Sequence, residues 1–551
     1  MFNPHFPPLY TSMKSRRFLV VSDLHMTSGR DPRSGVFAPT EDFFWDEAFR
    51  DFLVHYSTGA QTTLIINGDL FDFLKVLVFP TKSEMASYGI PEADVNRAYG
   101  LRCSQPAGVF QIDKIVDGHP IFFAALVNFL LAGNRAIVLK GNHDVQLFWG
   151  AVRDRVYHRM EEMAPPGERK AIRQRLEFLP WCYLVPGLLY VEHGNQYEYT
   201  TSFRNFLNPE LPINYPGTSK QIELDLSGFL VRYVLNGLKP IDPLSDSIRP
   251  QSKYFEMFWQ SHPFLFLATI GTTVKYVLKA FAKARELGNG ALARTFQKIS
   301  DENQKLIGDE AKRFAEGDEA RAESIEKNLR LFDMRKAPPV LTSGAWKFLW
   351  MEIKAPLKAV LLLLPLYVLM FVVDVNAGVM RLIGAWSPSV WKSLLQGLCA
   401  LKVPQIAAVV LLGIFMIWIS RSVKRGKEPH RAVSLDIMRK IRTDAQYIAR
   451  HLGVKFVTFG HTHYADIFRC SEKSWYFNTG TWMTIFSPEE QIYREAHQFA
   501  FLKVENEEAE LLRWNPDRMA PQPVKVVDTE PAATDAEDSI LKVILAVLGR
   551  K

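Results

Sequence analysis

In its first two hundred residues the chain alternates short apolar runs with stretches of helical spacing. Phe18 to Val21 is a strand-like run ending in Ser22-Asp23-Leu24-His25. Asp42 to Tyr56 carries aromatic and apolar residues at helical intervals and is expected to be a covering helix. Thr62 to Ile66 reads as a second strand, tipped by Asn67-Gly68-Asp69-Leu70-Phe71-Asp72. Ile121 to Leu131 reads as a helix, followed by a strand from Ala136 that ends in Gly141-Asn142-His143-Asp144. Leu188 to Val191 is a fourth strand, ending in Glu192-His193-Gly194-Asn195. This alternation predicts an α/β core with its chemistry at one edge of the sheet.

The pattern stops near Thr200 and returns near Ser434 with a helix, then a strand from Lys455 to Phe459 ending in Gly460-His461-Thr462-His463. Trp475 to Phe477 is a strand, Gln498 to Trp514 a hairpin. The expected organisation is therefore a core in two parts, 16–200 and 434–515, separated by an insertion at 201–433. It is followed at 516–551 by a Pro- and acid-rich linker and an amphipathic helix from Ser539.

Within the insertion, Pro263 to Ile270 is too short to span a bilayer, and Asp301 to Lys336, dense in both charges, reads as a solvated helical face. Two apolar runs, 356–373 and 403–419, approach the roughly 17 to 20 residues that cross a hydrocarbon core. Lys347, Lys354 and Lys358 lie at the first, and Arg421, Lys424, Arg425 and Lys427 follow the second, which predicts cytoplasmic ends. Two crossings also leave both core parts on one side of the membrane. Arg381, Lys392 and Lys402 in the connecting loop keep an in-plane hairpin as the alternative to a spanning one.

Composition narrows this picture. The 551 residues are 48% hydrophobic and 23% charged, which excludes global disorder. A net charge of +7 suits an anionic partner, but the basic residues cluster beside the apolar runs, so nucleic acid is not an expected partner. The scattered Cys103, Cys182, Cys399 and Cys470 give no thiolate zinc spacing and no disulfide framework. After Lys14, Arg16 and Arg17 the apolar run FLVV is too short for a signal-peptide core, so no secretory signal is expected.

The strand tips together supply Asp23, His25, Asp69, Asn142, His143, His193, His461 and His463. Carboxylate and amide oxygens with several imidazoles suit two divalent transition ions such as Mn, Fe or Zn. Through DLH at 23–25, GDLFD at 68–72, GNHD at 141–144, HGN at 193–195 and GHTH at 460–463, the sequence resembles the calcineurin-like metallophosphoesterase superfamily. The resemblance implies a two-sheet αββα sandwich, here carrying a large, mostly helical, membrane-associated insertion, and a dinuclear site at the strand ends. It assigns Asp23, His25 and His463 to one metal, Asn142, His193 and His461 to the other, and Asp69 as the bridge. His143 resembles the family's non-ligand histidine that stabilises charge or protonates the leaving oxygen, with Asp144 orienting its ring. Asp72 is either a partner of this group or an exposed loop carboxylate.

A narrower resemblance is to the UDP-2,3-diacylglucosamine pyrophosphatases, which act at the inner membrane and place a helical cap where this insertion lies. Those enzymes commonly have Arg in place of His143, and a far shorter cap. The leading expectation is a phosphoesterase at the inner membrane, facing the cytoplasm. It would use two divalent ions, Mn foremost, on a phosphorylated and lipid-linked substrate. The alternatives are a phosphodiesterase or protein phosphatase acting on a soluble substrate, and a non-catalytic membrane scaffold.

Overall fold

The computed structural model describes residues 16–198, 200–211, 217–236, 291–315, 429–485 and 497–524. The chain divides into two compact units, 1–342 with 436–528 and 343–435 with 529–551. All candidate site residues belong to the first.

Among its described residues that unit contains two main sheets. Its strands are β1 (Arg16–Val21), β2 (Gln61–Asn67), β3 (Val95–Asn96), β4 (Gly100–Leu101), β5 (Arg135–Leu139), β6 (Leu176–Leu179), β7 (Cys182–Val185) and β8 (Leu189–Glu192). After the insertion come β9 (Phe456–Phe459), β10 (Ala465–Arg469), β11 (Trp475–Thr479), β12 (Ala500–Glu505), β13 (Glu508–Asn515) and β14 (Ala520–Pro523). A seven-stranded sheet runs β14-β13-β12-β1-β2-β5-β6, a five-stranded one β10-β11-β9-β8-β7, and β3 pairs with β4 alone.

Strand periodicity explains the layering. Side chains alternate between faces, so Phe18, Val20, Ile65 and Ile137 join Leu189, Val191, Phe456 and Phe477 in an apolar layer between the sheets. Leu19, Val21, Leu64, Ile66 and Val138 face the other way, onto helices. Helix Asp46–Tyr56 buries Phe49, Phe52, Leu53 and Tyr56 at helical spacing. Helix Pro120–Leu131 is apolar on nearly all sides and buries Phe122, Phe123, Leu126, Phe129 and Leu130. On the second sheet, Tyr190, Val457 and Tyr476 share a core with Ile441, Ala445 and Ile448 of helix Pro429–Leu452. Helix, sheet, sheet and helix therefore stack in the expected order.

Several boundaries differ from expectation. The predicted helix from Asp42 begins at Asp46, because Asp42 is engaged by the Lys75 ammonium at 2.7 Å. β14 carries the large sheet to Pro523, past the expected linker start at 516. The expected insertion also contributes to this core. Phe203, Phe206, Leu207 and Ile222 are buried, as are Ile307 and Ala311 of the charge-rich helix Ala291–Ala315. Those positions repeat every four residues on an otherwise polar helix, so the stretch from Asp301 is a docked amphipathic element as far as it is described.

The runs at 356–373 and 403–419, the piece at 263–270 and the helix expected from Ser539 lie outside the described residues. Among the described residues no single helix is long and apolar enough to cross a membrane. Helices Gln105–Gly118 and Pro120–Leu131 reach that composition only as a pair bent by 90°, and most of their apolar side chains, Ile112, Ile115, Val116, Phe122, Phe123 and Leu126 among them, are buried in the core.

Candidate metal and catalytic site

Parallel pairing of β1 with β2 and of β2 with β5 brings three strand ends side by side, with Val21 opposite Ile66 and Asn67 opposite Leu139. At these ends the backbone turns abruptly. Asp23, His25, Asp69, His461 and His463 all have positive φ, between 52° and 68°. Non-glycine residues in this region cost on the order of 1 kcal/mol or more each, so their clustering marks a place where position outweighs backbone comfort. The turns are pinned by hydrogen bonds. The Leu24 and His25 amides donate to the Asp69 carbonyl at 3.0 and 2.9 Å, and the Asp23 carbonyl accepts from the Thr481 hydroxyl at 2.7 Å. Two glycines admit the side chains. A Cβ at Gly68 would lie 2.4 Å from the His193 ring, and one at Gly141 would lie 2.1 Å from the Asp69 carboxylate.

Two groups of donor atoms result. In the first, His463 Nε2 lies 3.3 Å from Asp23 Oδ1 and 3.2 Å from His25 Nε2. In the second, His193 Nε2 lies 3.1 Å from Asp69 Oδ2, with His461 beside it. Asp69 Oδ2 is also 3.7 Å from His25 Nε2, so this carboxylate stands between the groups. Asn142 is buried in the same edge.

The fit to cations can be tested on these atoms. His193 Nδ1 donates to the Asn67 carbonyl at 2.8 Å, so the neutral ring turns a lone pair on Nε2 toward a carboxylate oxygen. Two acceptors 3.1 Å apart repel unless a metal cation lies between them or Nε2 takes up a proton. Asp23 Oδ1, Asn142 Oδ1 and His193 Nε2 are all buried without a hydrogen bond, a condition that folded proteins rarely tolerate. Two nitrogens each about 2.1 Å from one ion are about 3.0 to 3.4 Å apart, which matches the His25–His463 contact. The residues fit a pair of divalent ions.

Residues 16–229 match the family model for calcineurin-like phosphoesterase. This part of the chain is a calcineurin-like phosphoesterase domain. No curated protein and no solved structure matches the chain. The family is one of metal-dependent phosphoric ester hydrolases, and the chain is accordingly a metal-dependent phosphoesterase. The match ends before His461 and His463, which the fold brings back to the same edge through β9.

In this phosphoesterase the residue that orients His143 is Asp72, where Asp144 was expected. His143 Nδ1 bonds to Asp72 Oδ2 at 2.9 Å, and Asp72 is buried. Asp144 is turned away from the ring. Its oxygens accept from the Gly141 amide at 2.6 Å and the Leu70 amide at 3.0 Å, holding the two loops together. Aspartate next to a tight turn commonly closes on backbone amides in this manner. His25, Asp72 and His143 also form a compact trio. The shared Asp72 oxygen already faces the Lys75 ammonium at 3.2 Å, which makes this a charge-balanced hydrogen-bond network and a poor cation site.

Burial would raise the Asp23, Asp69 and Asp72 carboxyls, but neighbouring imidazoles, with Lys75 at Asp72, outweigh it and hold all three well below the usual range. Burial would likewise lower the histidines, yet the same carboxylates push His25 up to about 10 and His193 up to about 9. Without metal the site thus holds protons in place of cations. Asp144 moves the opposite way, to about 7, through burial and the nearby Asp69 charge.

Glu198, Thr201 and Asp225 also reach the site and were not singled out from the sequence. His461 Nε2 lies 2.9 Å from Glu198 Oε2 and 3.1 Å from Thr201 Oγ1, and Asn142 Nδ2 lies 3.4 Å from Asp225 Oδ2. All three stand where strand periodicity has lapsed, so only their carboxyl or hydroxyl chemistry hinted at a role.

Proposed function

We propose that this protein is a membrane-attached phosphoesterase that uses two divalent ions, Mn foremost, to hydrolyse a phosphate ester or pyrophosphate on a lipid or nucleotide-linked lipid. The observation that carries the catalytic part is the set of buried atoms without hydrogen bonds, Asp23 Oδ1, Asn142 Oδ1 and His193 Nε2, converging on one sheet edge. Asp23, His25 and His463 would hold one ion, Asn142, His193 and His461 the other, and Asp69 would be shared between them. When bound, such ions supply Lewis-acid polarisation of the phosphoryl group and acidify the attacking water.

The chain's own residues do the rest. Asp69 is aimed by the His143 amide, which donates to its Oδ1 at 2.8 Å, leaving Oδ2 toward the imidazoles. His143, with Nδ1 committed to Asp72, presents Nε2 to protonate the leaving oxygen, and Asp72 supports the charged imidazole before transfer. Lys75 and Asp42 fix Asp72 in turn.

Membrane attachment, on the cytoplasmic face of the inner membrane, is supported by the apolar runs at 356–373 and 403–419 and their basic flanks. An apolar segment inserted in the same chain supports an acyl-bearing substrate. The test is phosphate release by purified protein after chelation and Mn²⁺ addition. Its panel is a generic phosphodiester, a phosphomonoester, UDP-diacylglucosamine and phospholipid phosphates. Preference for a lipid-bearing substrate is expected. Equal or better turnover of soluble esters in lipid-free detergent would replace the lipid reading with a soluble-substrate phosphodiesterase.

A further inference from the structure

The ligands proposed for the second ion, Asn142 and His461, come from loops far apart in sequence, yet both are gripped by one stretch of chain just after His193. Asp225 is 1% exposed. Its Oδ1 accepts from the Gly228 amide at 2.8 Å, which fixes the carboxylate at the start of the short helix Leu226–Leu230. Its Oδ2 faces Asn142 Nδ2 at 3.4 Å. In its ionised form this carboxylate only accepts, so it then discriminates between the two ends of an amide: the NH₂ end must face Asp225, and Oδ1 must face away. Asn142 Oδ1 is the buried atom without a hydrogen bond.

Glu198 acts on the other ligand by the same logic. Its Oε2 lies 2.9 Å from His461 Nε2, with the Thr201 hydroxyl at 3.1 Å, so Nε2 carries the proton and Nδ1 keeps its lone pair. The first ion's group is built differently. The Asp23 backbone is held by β2 and the Thr481–Met483 turn, and its Oδ2 accepts from the His461 amide at 2.9 Å.

We infer that Glu198 and Asp225 are positioning residues for the second ion, setting the His461 tautomer and the Asn142 amide orientation so that one ion depends on this stretch and the other does not. This rests on the ligand assignment proposed above. It makes Glu198, Thr201 and Asp225 part of the metal centre, although they belong to no ligand-type motif.

The test is equilibrium dialysis of the purified full chain against Mn²⁺ after chelation, with bound metal counted by mass spectrometry and melting temperature recorded in parallel. Wild type is expected to hold two ions. Asp225→Asn offers a donor that lets the Asn142 amide turn over, and is expected to keep one ion while binding the second about 10- to 100-fold more weakly. Glu198→Ala should show the same one-ion loss. Adding Asn142→Asp to Asp225→Asn should restore the second ion, because a carboxylate presents oxygen in either orientation and the new amide can donate to it. A role confined to capping Gly228 would show no such rescue. Two ions at wild-type affinity in both single variants, equal weakening of both ions, or absence of rescue would overturn the inference. Wild type holding fewer than two ions, or Asn142→Ala retaining two, would instead overturn the ligand assignment beneath it.

Discussion

His119 and His193 are both buried imidazoles beside carboxylates in the same domain, and they differ in what their atoms have left to do. His119 sits where two helices meet. Its Nδ1 lies 3.1 Å from Asp46 Oδ2 and its Nε2 3.3 Å from Glu41 Oε2. Glu41 also accepts from the Gly29 amide at 2.7 Å, the Thr27 hydroxyl at 2.5 Å and the Phe43 amide at 2.9 Å. Every site is matched, so the cluster is a structural ion pair. His193 has one nitrogen matched by the Asn67 carbonyl and the other turned on Asp69 with no hydrogen bond, and its neighbours Asp23 and Asn142 have unmatched atoms too. The backbone agrees, since Asp23, His25, Asp69, His461 and His463 lie in the left-handed region and His119 has φ −125°. Residue type alone does not separate a metal centre from a buried salt bridge, whereas unmatched donors and acceptors on a strained backbone do.

The largest expected effect separates the two clusters outright. Asp69→Ala removes the shared carboxylate and should abolish metal-dependent phosphate release together with ion binding, while His119→Ala should leave the ion count at the wild-type value. Next in size is His143→Ala, which should lower kcat by about a hundredfold to ten-thousandfold with metal content unchanged, measured by turnover and metal analysis on the same sample. His119→Ala should instead destabilise the fold by about 3 to 5 kcal/mol in denaturant titration, because Glu41 and Asp46 would be left buried and unpaired.

The smallest effects are those of pH, and the clusters should differ in sign. His119, opposed by burial but raised by Glu41 and Asp46, titrates near about 10 against an ordinary 6.5. Its contribution to stability is complete below about 6.5 and is lost as pH rises through about 10. Glu41, also opposed by burial, is held by His119 at about 2 against 4.5, so its contribution is complete above about 4.5 and is lost as pH falls through about 2. The pair should therefore stabilise most between about 4.5 and 6.5, seen as a loss of pH dependence in that cluster's variants. At the metal centre the raised imidazoles, His25 near about 10 and His193 near about 9, must release protons when ions bind. Mn²⁺ affinity should rise with pH up to about 10, read by titration calorimetry in buffers of different ionisation enthalpy.

Much of this centre was legible in the sequence because its residues stand at the ends of strands that pattern recognition finds readily. β1, β2, β5, β8 and β9 are short, apolar and followed closely by glycine or acid, and near their ends Asp23, His25 and His463 form one group and Asp69, His193 and His461 another. What was missed has physical reasons. Asp144 adjoins His143 in sequence while Asp72 lies on another loop, and both are buried, so only the hydrogen bonds show that Asp72 turns to His143 while Asp144 closes on backbone amides. β10, with Asp466 and Arg469 in five residues, carries no apolar run, because Asp466 is neutralised by Arg442 from the neighbouring helix at 2.7 and 2.9 Å. Glu198 and Asp225 act through tertiary contacts with residues hundreds of positions away or on another loop, which no local period encodes.

The most direct measurement is the number of Mn²⁺ ions held by wild type, Asp69→Ala and His119→Ala, taken beside phosphate release from a generic phosphodiester. The account predicts two ions and turnover in wild type, loss of both in Asp69→Ala, and two ions with turnover in His119→Ala. Two ions retained in Asp69→Ala, or two ions in wild type with no hydrolysis of any phosphoester, would contradict it.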